Sequence, residues 1–397
     1  MIDSEELYAL TKARPAMLAC VRNLAAAKGR PYALPKSAPP RQGTAVIVGS
    51  GPSLDESLGH VRALAAAGAV IYTTNTGLSA LARAGIVPDV VVAREVLDVR
   101  SHLEHPHGEL VLDLATNADV WAAHPNASWF VAGGTQFFEL ASRLGVRPLF
   151  GGPASLTAAV ALADARGAER IVLVGVDLAF ASDGIGYASG SAFAGFEGEF
   201  TGESVTLDSR GLESMKRASD AVGVPAPPRV QRVTEAPGID GTTVRQLGTW
   251  ADQQRWLEMF TTRARAVLLD NLTAHGASLA GWQRLTTAPR VSRRISWVES
   301  DDERATPLVG EALADIARQA DTVASLADTV RDADGCVVAV PGYLDGCDVV
   351  EAAAAGDLIT VRRMGYAPGP GVRLTCAALA SAAEAVREAL AAGRCAE

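Results

Sequence analysis

The stretch that decides the fold is Ala45-Val46-Ile47-Val48-Gly49-Ser50-Gly51-Pro52-Ser53-Leu54-Asp55-Glu56. Its four leading apolar residues, three of them β-branched, predict a buried strand. The small residues that follow predict a tight turn, and Ser53 with Glu56 has the Ser-x-x-Glu spacing of a capping box that opens a helix. We therefore expect a strand, a glycine-rich turn and a helix in succession here.

The same alternation continues along the chain on both sides of this unit. Further apolar runs occupy residues 70–73, 90–93, 110–114, 129–132 and 171–174, and helical patterns occupy residues 58–67, 78–84 and 157–166. Continuous apolar strands separated by helices are typical of a parallel sheet that is covered on both faces. The sequence therefore predicts an α/β fold with a doubly wound, mainly parallel sheet.

Three regions are predicted along the chain. Residues 1–40 form an N-terminal helical arm and a Pro-rich linker, because Pro31, Pro35, Pro39 and Pro40 stop helices and stiffen the chain. Residues 41–285 form the α/β domain. Residues 286–397 form a small, mainly helical C-terminal module, in which apolar residues at 313, 316, 320, 323, 327 and 330 have helical spacing. We also expect a helix over residues 376–392 and a short strand over residues 337–340.

The alternation of strands and helices fails over residues 178–245. This segment is rich in Gly, Ser and aromatic residues and includes Pro225-Ala226-Pro227-Pro228. A long connection of this kind in a compact domain is commonly a lid or a binding loop. Helical pattern resumes over residues 250–264, followed by an apolar run over residues 266–269.

Composition excludes several classes of protein. The 397 residues are 48% hydrophobic and 20% charged, with a formal net charge of -9 and no dense basic stripe, so nucleic acid is not the expected main partner. No run reaches the roughly 18 apolar residues of a membrane span. The acidic start lacks the positive charge of a secretory signal, and five scattered cysteines without a Cys-x-x-Cys pair indicate a reducing compartment. We expect a cytoplasmic protein.

The glycine-rich turn after the first strand is a candidate phosphate cradle. Main-chain N–H groups in small residues can approach an anion closely, and a helix dipole favours negative charge at its start. The predicted binding residues are Gly49, Ser50, Gly51, Pro52 and Ser53. Leu54 stands where a dinucleotide fingerprint has its third glycine, and no P-loop lysine follows, so a plain strand-to-helix turn remains the alternative.

Three further strand ends or turns carry polar residues that could join the same crevice. Thr74 and Asn75 follow the second predicted strand, and Gly152, Ser155 and Thr157 belong to a second glycine turn before a helix. In an open parallel sheet, ligands bind beyond the carboxyl ends of the strands. Arg94, Glu95 and Asp98 end the third predicted strand and could meet a ribose, a metal or a phosphate, or form only a surface ion pair.

Asp177 is the main catalytic candidate, together with Glu95. It follows the strand at residues 171–174, and a carboxylate at that position suits a general base. The loop after it supplies the predicted substrate-contacting residues Phe180, Tyr187, Ser189 and Gly190, with Phe193 and Phe196 also able to exclude water. The alternative is that Asp177 only caps a neighbouring turn.

A histidine cluster, His102-Leu103-Glu104-His105-Pro106-His107, invites a metal assignment. Its spacing matches no standard zinc arrangement, and Pro106 breaks the helix that would align the ligands. We therefore predict a solvated loop and no metal ligands.

Several of these motifs together resemble a known family. Gly49–Asp55, Pro88-Asp89, residues 151–157, residues 175–180 and Tyr187-Ala188-Ser189-Gly190 resemble the MptE-like (DUF115) superfamily, and residues 269–281 are similar to its closing element. This superfamily includes bacterial Maf (motility accessory factor) flagellin glycosyltransferases and archaeal 6-hydroxymethyl-7,8-dihydropterin diphosphokinases. The resemblance covers about residues 41–285.

The resemblance implies a Rossmann-like sheet and a nucleotide-activated donor substrate. Asp177-Leu178-Ala179-Phe180 together with Tyr187-Ala188-Ser189-Gly190 is more similar to the bacterial branch. This implies a Maf-like glycosyltransferase that moves a nonulosonic acid or related sugar from a CMP-sugar to a protein or glycan acceptor. The alternatives are a pterin diphosphokinase that uses ATP and Mg²⁺, and a non-catalytic nucleotide-binding or scaffold protein.

One departure from the family concerns the metal. Arg94-Glu95 replaces an aspartate that many members carry, which leaves the nucleotide and the use of Mg²⁺ open. No covalently bound cofactor is expected, and a homo-oligomer is an open possibility.

Overall fold

An eight-stranded parallel sheet is the centre of the computed structural model, which describes residues 13–133, 141, 144–207, 216, 219, 229–291, 311–321 and 384–392. The strand order is β12-β11-β6-β1-β2-β3-β4-β5. The strands are β1 (Thr44–Val48), β2 (Val70–Thr74), β3 (Val90–Ala93), β4 (Glu109–Asp113), β5 (Ser128–Phe130), β6 (Arg170–Val174), β11 (Leu268–Asn271) and β12 (Gln283–Arg284). The predicted α/β fold is confirmed, and the six apolar runs of the sequence correspond to β1 to β6.

In the described part of the chain, the α-helices that connect or flank these strands include α1 (Ala13–Ala27), α2 (Leu54–Ala66), α3 (Asn75–Arg83), α4 (Ala118–Ala123), α5 (Ser155–Ala165) and α6 (Gly248–Thr261). A 3₁₀ turn spans Arg100–Leu103. The start of α5 follows a tight glycine turn in which Gly152 has a φ of 67°, a conformation that glycine adopts without strain.

The sheet is covered on both faces, as the continuous apolar strands predict. Side chains alternate along β1, so that Val46 and Val48 pack in one cluster with α2 and α3, while Ala45 and Ile47 pack in the other cluster with α5. Both sets are fully buried. This is the physical reason why the strands read as unbroken apolar runs.

The position of β1 creates the crevice that a doubly wound sheet offers to ligands. β1 pairs with β2 on one side and with β6 on the other, and Val48 lies opposite both Thr73 and Val174. The carboxyl ends of β1, β2 and β6 therefore lie side by side at the same edge of the sheet. The chain leaves β1 toward β2 and reaches β6, on the other side of β1, only after the four strands β2 to β5, so this is a topological switch point of the sheet.

The N-terminal helix packs on the sheet domain. Met17, Cys20 and Leu24 of α1 are buried in the same core cluster as the strands. Asn23, also buried, donates from Nδ2 to the carbonyls of Leu114 at 2.9 Å and Thr116 at 2.6 Å. These contacts tie α1 to the loop that follows β4.

The segment over residues 178–245 contains a second sheet that the sequence analysis did not predict. Its strands are antiparallel, in the order β10-β9-β8-β7: β7 (Gly198–Thr201), β8 (Ser204–Leu207), β9 (Val230–Pro237) and β10 (Thr243–Leu247). In β9 only Val233 and Ala236 are buried. Because so few residues of these strands face a core, their apolar periodicity is too weak to identify them. The Pro-rich stretch at residues 225–228 lies outside the described residues.

Beyond residue 291, the described parts of the predicted C-terminal module are two helices. Ile316 and Ala320 are buried in the helix over residues 311–321, and Arg387 of the helix over residues 384–392 pairs with Asp321 at 2.7 Å. The strand expected at residues 337–340 lies outside the described residues. Within the described ranges, no helix combines the length and the apolar character that crossing a membrane requires.

Candidate functional site

A cavity of about 580 Å³ lies beyond the carboxyl ends of β1, β2, β3 and β6. Most of the predicted site residues meet there. Those that line it are Gly49, Ser50, Gly51, Thr74, Asn75, Glu95, Ser155, Asp177 and Tyr187. Its size is within the range of pockets that hold small ligands.

The first glycine turn does not offer the expected cradle of free N–H groups. The N–H of Gly49 donates to the carbonyl of Val174 at 2.8 Å, and that of Gly51 donates to the carbonyl of Gly175 at 2.9 Å. A Cβ at position 49 would overlap the Gly175 carbonyl. The small residues therefore allow two backbone segments to approach each other, and the N–H groups of Gly49 and Gly51 are used within the fold.

A protein carboxylate, rather than a ligand anion, occupies the start of helix α2. Asp177 accepts from the N–H of Ser53 at 2.7 Å and from the Ser53 hydroxyl, and Gly51 makes room, since a Cβ there would lie 2.5 Å from Asp177 Oδ2. The predicted capping box is wrong, because the Ser53 side chain makes no cap to its own helix. Glu56 instead pairs with His275 at 2.9 Å near the surface.

Asp177 is 3% exposed, and its surroundings change its acidity. Burial raises the pKa of Asp177 to about 7; the two bonds from Ser53 and the charge of His275 oppose this shift, while Glu56 adds to it. A carboxyl group with a pKa near neutrality can accept or release a proton under physiological conditions. Asp177 therefore caps the turn before helix α2, which was the alternative role predicted for it, and it also has a pKa suitable for a general base.

The backbone around Asp177 is held in an uncommon conformation. Leu178 has a φ of 49°, and it is the one non-glycine residue with positive φ in the described part of the chain. Residues in this region cost of order 1–3 kcal/mol and cluster at functional sites. The Leu178 carbonyl accepts a hydrogen bond from Gln246 Nε2 at 2.8 Å, which helps to maintain the turn.

The element at residues 269–281 holds the Asp177 segment in place. Val176 N donates to Thr273 Oγ1 at 3.1 Å, and Ala277 N donates to the Asp177 carbonyl at 2.8 Å. Gly276 has a φ of 107°, and a Cβ there would overlap the same carbonyl. Glycine is therefore required at this position.

The second glycine turn brings the start of helix α5 to the cavity. Ser155 and Leu156 line the cavity, and the first N–H groups of a helix have no acceptor within it. Thr157 caps the turn, since its Oγ1 bonds to both the N–H and the carbonyl of Ala154. Thr157 and Gly152 shape the turn and do not line the cavity.

Arg94 places a positive charge beside this helix start. Its Nε lies 2.9 Å from Asp113 Oδ2, its Nη1 donates to the Gly152 carbonyl, and its N–H donates to Ser155 Oγ at 2.9 Å. Asp113 is buried, so this pair differs from the surface ion pair considered from sequence. A guanidinium next to a helix N-terminus is a strong arrangement for binding a phosphate.

His102 is a site residue that the sequence analysis missed. It was expected in a solvated loop, but it lines the cavity, with its ring edge-on to Phe193 at 5.5 Å and its Nδ1 3.4 Å from Asn75 Nδ2. Burial lowers the pKa of His102, and the charges of Glu95 and Asp98 oppose this shift. The only signal in the sequence is its short distance from the end of β3.

Other polar residues of the turns have structural contacts. Thr74 caps helix α3 by accepting from Gly77 N at 3.4 Å. Gly190 lies against α3, where a Cβ would be 3.1 Å from the Cα of Ala80, and its carbonyl accepts from Ser79 Oγ. Gly190 therefore faces a helix and not the cavity. Across the described ranges, no group of three or more His, Cys, Asp or Glu side chains is arranged for a metal ion.

The aromatic side chains of this loop pack together, and two of them also line the cavity. Phe180 packs against Phe196, Phe200 and Trp250 with ring centroids 4.7–6.2 Å apart. Tyr187 and Phe193 line the cavity, as do Trp250 and Gln253 of helix α6. The α6 residues were not predicted, because they lie more than 70 residues after Asp177 and only the tertiary structure brings them near.

A second cavity, of about 980 Å³, shares Asp177, Ala179 and Tyr187 with the first. Of the other predicted site residues, Pro52, Ser53, Phe180 and Ser189 line this second cavity. Ser189 N donates to Asp55 Oδ2 at 2.9 Å. Gly152, Thr157 and Gly190 line neither cavity, and the rest of the predicted site residues are divided between two neighbouring spaces, with Asp177 and Tyr187 common to both.

Comparison with known proteins finds one family model that matches part of this core. Residues 20–183 match the model of the family described as 6-hydroxymethylpterin diphosphokinase MptE-like. The resemblance noted from the motifs is confirmed over these residues, which include β1 to β6 and Asp177. No curated protein matches the chain.

The fold is similar to that of a Maf glycosyltransferase from Magnetospirillum magneticum AMB-1, with a TM-score of 0.53 and 17% sequence identity. The match covers 98% of this chain and 59% of that one, so the chain spans well under two thirds of its neighbour's length. At this identity the likeness concerns the fold.

Proposed function

We propose that this MptE-like chain is a nucleotide-dependent transferase that moves a nonulosonic acid or related sugar from a CMP-linked donor to an acceptor hydroxyl. The observation that carries the proposal is the position of Asp177. Its carboxyl, whose pKa is raised to about 7, lines the same cavity as Arg94 and the start of helix α5. A proton acceptor and a phosphate-binding arrangement therefore share one space, as sugar transfer from a phosphate leaving group requires.

The donor phosphate would bind where positive potential is concentrated. Arg94, Ser155 and Leu156 line the cavity at the start of helix α5, where the first N–H groups of a helix have no acceptor within it. Donors that are already oriented stabilise the negative charge that develops on a departing phosphate. Tyr187 and Phe193 form an apolar wall that would exclude water from the activated sugar.

The reaction proceeds by exchange of one bond for another. The acceptor oxygen forms a bond to the anomeric carbon of the sugar, and the bond from that carbon to the CMP phosphate oxygen breaks, with its electron pair leaving on CMP. The acceptor proton passes to the Asp177 carboxylate. Both Asp177 oxygens already accept from Ser53, but a carboxylate has about four lone-pair positions, so it retains capacity for this proton.

A pterin diphosphokinase is the second candidate, and one feature favours it. The carboxylates of Glu95 and Asp98 both line the cavity. Mg²⁺ is commonly bound by one or two carboxylates together with substrate phosphates, and when bound it neutralises charge on a transferring phosphoryl group. These two residues would hold it here, although Asp98 is also paired with Arg100 at 2.6 Å.

Thermal shift with CMP, UDP, GDP and ATP with Mg²⁺ tests the nucleotide, because a ligand that binds only the folded state raises the melting temperature. We expect the largest rise with CMP, and release of CMP from a CMP-linked nonulosonic acid. His102→Gln should weaken CMP binding by about tenfold, which corresponds to about 1.4 kcal/mol for a lost contact. The matched control is His107→Gln, since His107 lies in the same segment but does not line the cavity.

Three results would contradict the proposal. The first is the absence of any shift with CMP together with no turnover of a CMP-sugar. The second is AMP release from ATP and Mg²⁺ with a pterin acceptor, which would establish the diphosphokinase instead. The third is tight nucleotide binding with no turnover of any donor, which is the behaviour of a scaffold protein.

A further inference from the structure

The two backbone carbonyls that follow the Asp177 side chain are both held by donors from later parts of the chain. The Asp177 carbonyl accepts from Ala277 N at 2.8 Å. The Leu178 carbonyl accepts from Gln246 Nε2, also at 2.8 Å. Gln246 lies in β10 and is only 2% exposed, so water cannot readily replace this donor. The hydrogen bond from Gln246 is therefore a fixed part of the Asp177 turn.

A second glutamine, Gln254 of helix α6, holds the first in place. Gln246 Nε2 donates to Gln254 Oε1 at 2.9 Å. Gln254 Nε2 donates to the Ser278 carbonyl at 2.8 Å. We call the side chains of Gln246 and Gln254 the glutamine bridge. Because Ser278 follows Ala277 in the chain, the bridge connects the two places at which the Asp177 turn is held.

The surroundings of the bridge allow only one orientation of each side-chain amide. A backbone carbonyl accepts hydrogen bonds and cannot donate them. The Leu178 carbonyl therefore requires the NH₂ group of Gln246, and the Ser278 carbonyl requires the NH₂ group of Gln254. The oxygen of Gln254 is then left to accept from Gln246, as observed. Each contact of the bridge thus depends on an amide that both donates and accepts.

The Asp177 turn needs this support because its backbone is strained. Leu178 has a φ of 49°, and a non-glycine residue keeps such a conformation only when the surrounding structure holds it. Relaxation at Leu178 would release the Asp177 side chain from its fixed position at the start of helix α2. Asp177 lines two cavities, so a displaced carboxyl would gain contact with water.

We propose that Gln246 and Gln254 are positioning residues that keep the Asp177 carboxyl buried against the start of helix α2. The inference rests on the proposed function only for the use of that carboxyl in proton transfer. Burial is the largest cause of the raised pKa of Asp177. Contact with water would remove the effect of burial together with the effects of the neighbouring groups, so the proton affinity would fall toward that of an exposed aspartate.

NMR titration of the Asp177 carboxyl carbon in the isotope-labelled full chain measures this proton affinity, and the signal is identified by its loss in Asp177→Asn. Gln246→Leu keeps the bulk of the side chain but cannot donate. It should lower the titration midpoint by about one pH unit, which is about a third of the rise from 3.8 to about 7 and a tenfold loss of proton affinity.

A second variant keeps the test available if Gln246→Leu does not fold. Gln254 is only partly buried, so Gln254→Leu should be tolerated. It should lower the Asp177 midpoint in the same direction by a smaller amount, because Gln246 can still donate to the Leu178 carbonyl.

Gln319→Leu is the matched control. Gln319 is 4% exposed, its Nε2 lies 3.2 Å from Asp315 Oδ2, and it lines neither cavity. Its replacement also removes a buried amide. It should lower the melting temperature and leave the Asp177 midpoint at the wild-type value, because it has no connection to the Asp177 turn.

The inference is overturned if the folded bridge variants titrate as the wild type does, if their midpoint rises, or if Gln319→Leu shifts the midpoint as much as they do. The titration needs no substrate, so lowered midpoints without any CMP shift would contradict the donor and leave the bridge standing. CMP-sugar turnover with wild-type midpoints in the bridge variants would do the reverse. Where turnover is measured, the acid limb of kcat/KM against pH should move down with the midpoint, whereas a purely structural loss lowers kcat/KM equally at every pH.

Discussion

The buried carboxyl of Asp177 should make the stability of the protein depend on pH. The perturbation is Asp177→Asn, which keeps the size of the side chain and an oxygen that can accept from Ser53 N. The new amide NH₂ can donate to the Ser53 oxygen, since a hydroxyl both donates and accepts. The substitution therefore removes the titration while retaining the local contacts.

The sign and size of the effect follow from the pKa. Burial raises the pKa of Asp177 from 3.8 to about 7 in the folded state, so the folded state binds its proton more tightly than the unfolded chain does. The corresponding stability is fully present below about pH 4 and is lost as the pH rises through about 7. Between about pH 5 and pH 8 the wild type should lose about 2–3 kcal/mol of unfolding free energy through this one group.

Urea denaturation of the wild type and Asp177→Asn at these two pH values measures the effect. The unfolding free energy of the variant minus that of the wild type should increase by about 2–3 kcal/mol from pH 5 to pH 8. Glu56 and His275, which also act on this pKa, are present in both proteins. Asp183→Asn is the control, because Asp183 is an exposed carboxyl of the following loop.

A difference between wild type and Asp177→Asn that stays constant with pH would refute this reasoning. It would mean that Asp177 is ionised in the folded state throughout the range, and that burial does not hold its proton. The proposed role as a proton acceptor near neutral pH would then lose its physical basis.

Two other substitutions test the contacts around this carboxyl. Gly51→Ala should destabilise the fold by about 1–3 kcal/mol, because the new Cβ would lie 2.5 Å from Asp177 Oδ2. Gly59→Ala is the control: its Cβ would lie in open space on helix α2, and it should stabilise the fold by about 0.5–1 kcal/mol. Equal effects of the two substitutions in urea denaturation would contradict the account of the glycine turn. Ser53→Ala removes a hydrogen bond that lowers the pKa of Asp177, so the pH at which half of the Asp177-dependent stability is lost should rise. If this pH is equal to or below that of the wild type, the Ser53 hydroxyl does not act as a donor to Asp177.

The parallel sheet and its helices could be predicted because each strand and each helix has a hydrophobic pattern within its own few residues. Each central strand is buried on both faces and reads as an unbroken apolar run, and each crossover helix carries its own pattern. The antiparallel sheet was missed for the opposite reason. Its strands bury few side chains, and polar residues dominate β9 between Val230 and Pro237.

The location of the candidate site was also predictable, but the roles of its residues were not. Strand ends identify the crevice, and Asn75, Ser155 and Asp177 do line one cavity. The sequence pattern could not show that Asp177 fills the start of helix α2, because the two lie more than 120 residues apart. Nor could it show that His102 turns inward, since its neighbours in the chain are those of a polar loop.

Sequence patterns were enough to predict strands β1 to β6, the crevice at the end of β1, and the resemblance to the MptE-like family. Which polar groups remain available to a ligand depended on the folded chain, because a hydrogen-bonding group is available only when no other part of the chain has paired with it. The N–H groups of Gly49 and Gly51 are paired with carbonyls that lie more than 120 residues later in the chain, and the Arg94 guanidinium is paired with Asp113 and the Gly152 carbonyl. Ser155 and Leu156, at the start of helix α5, line the cavity.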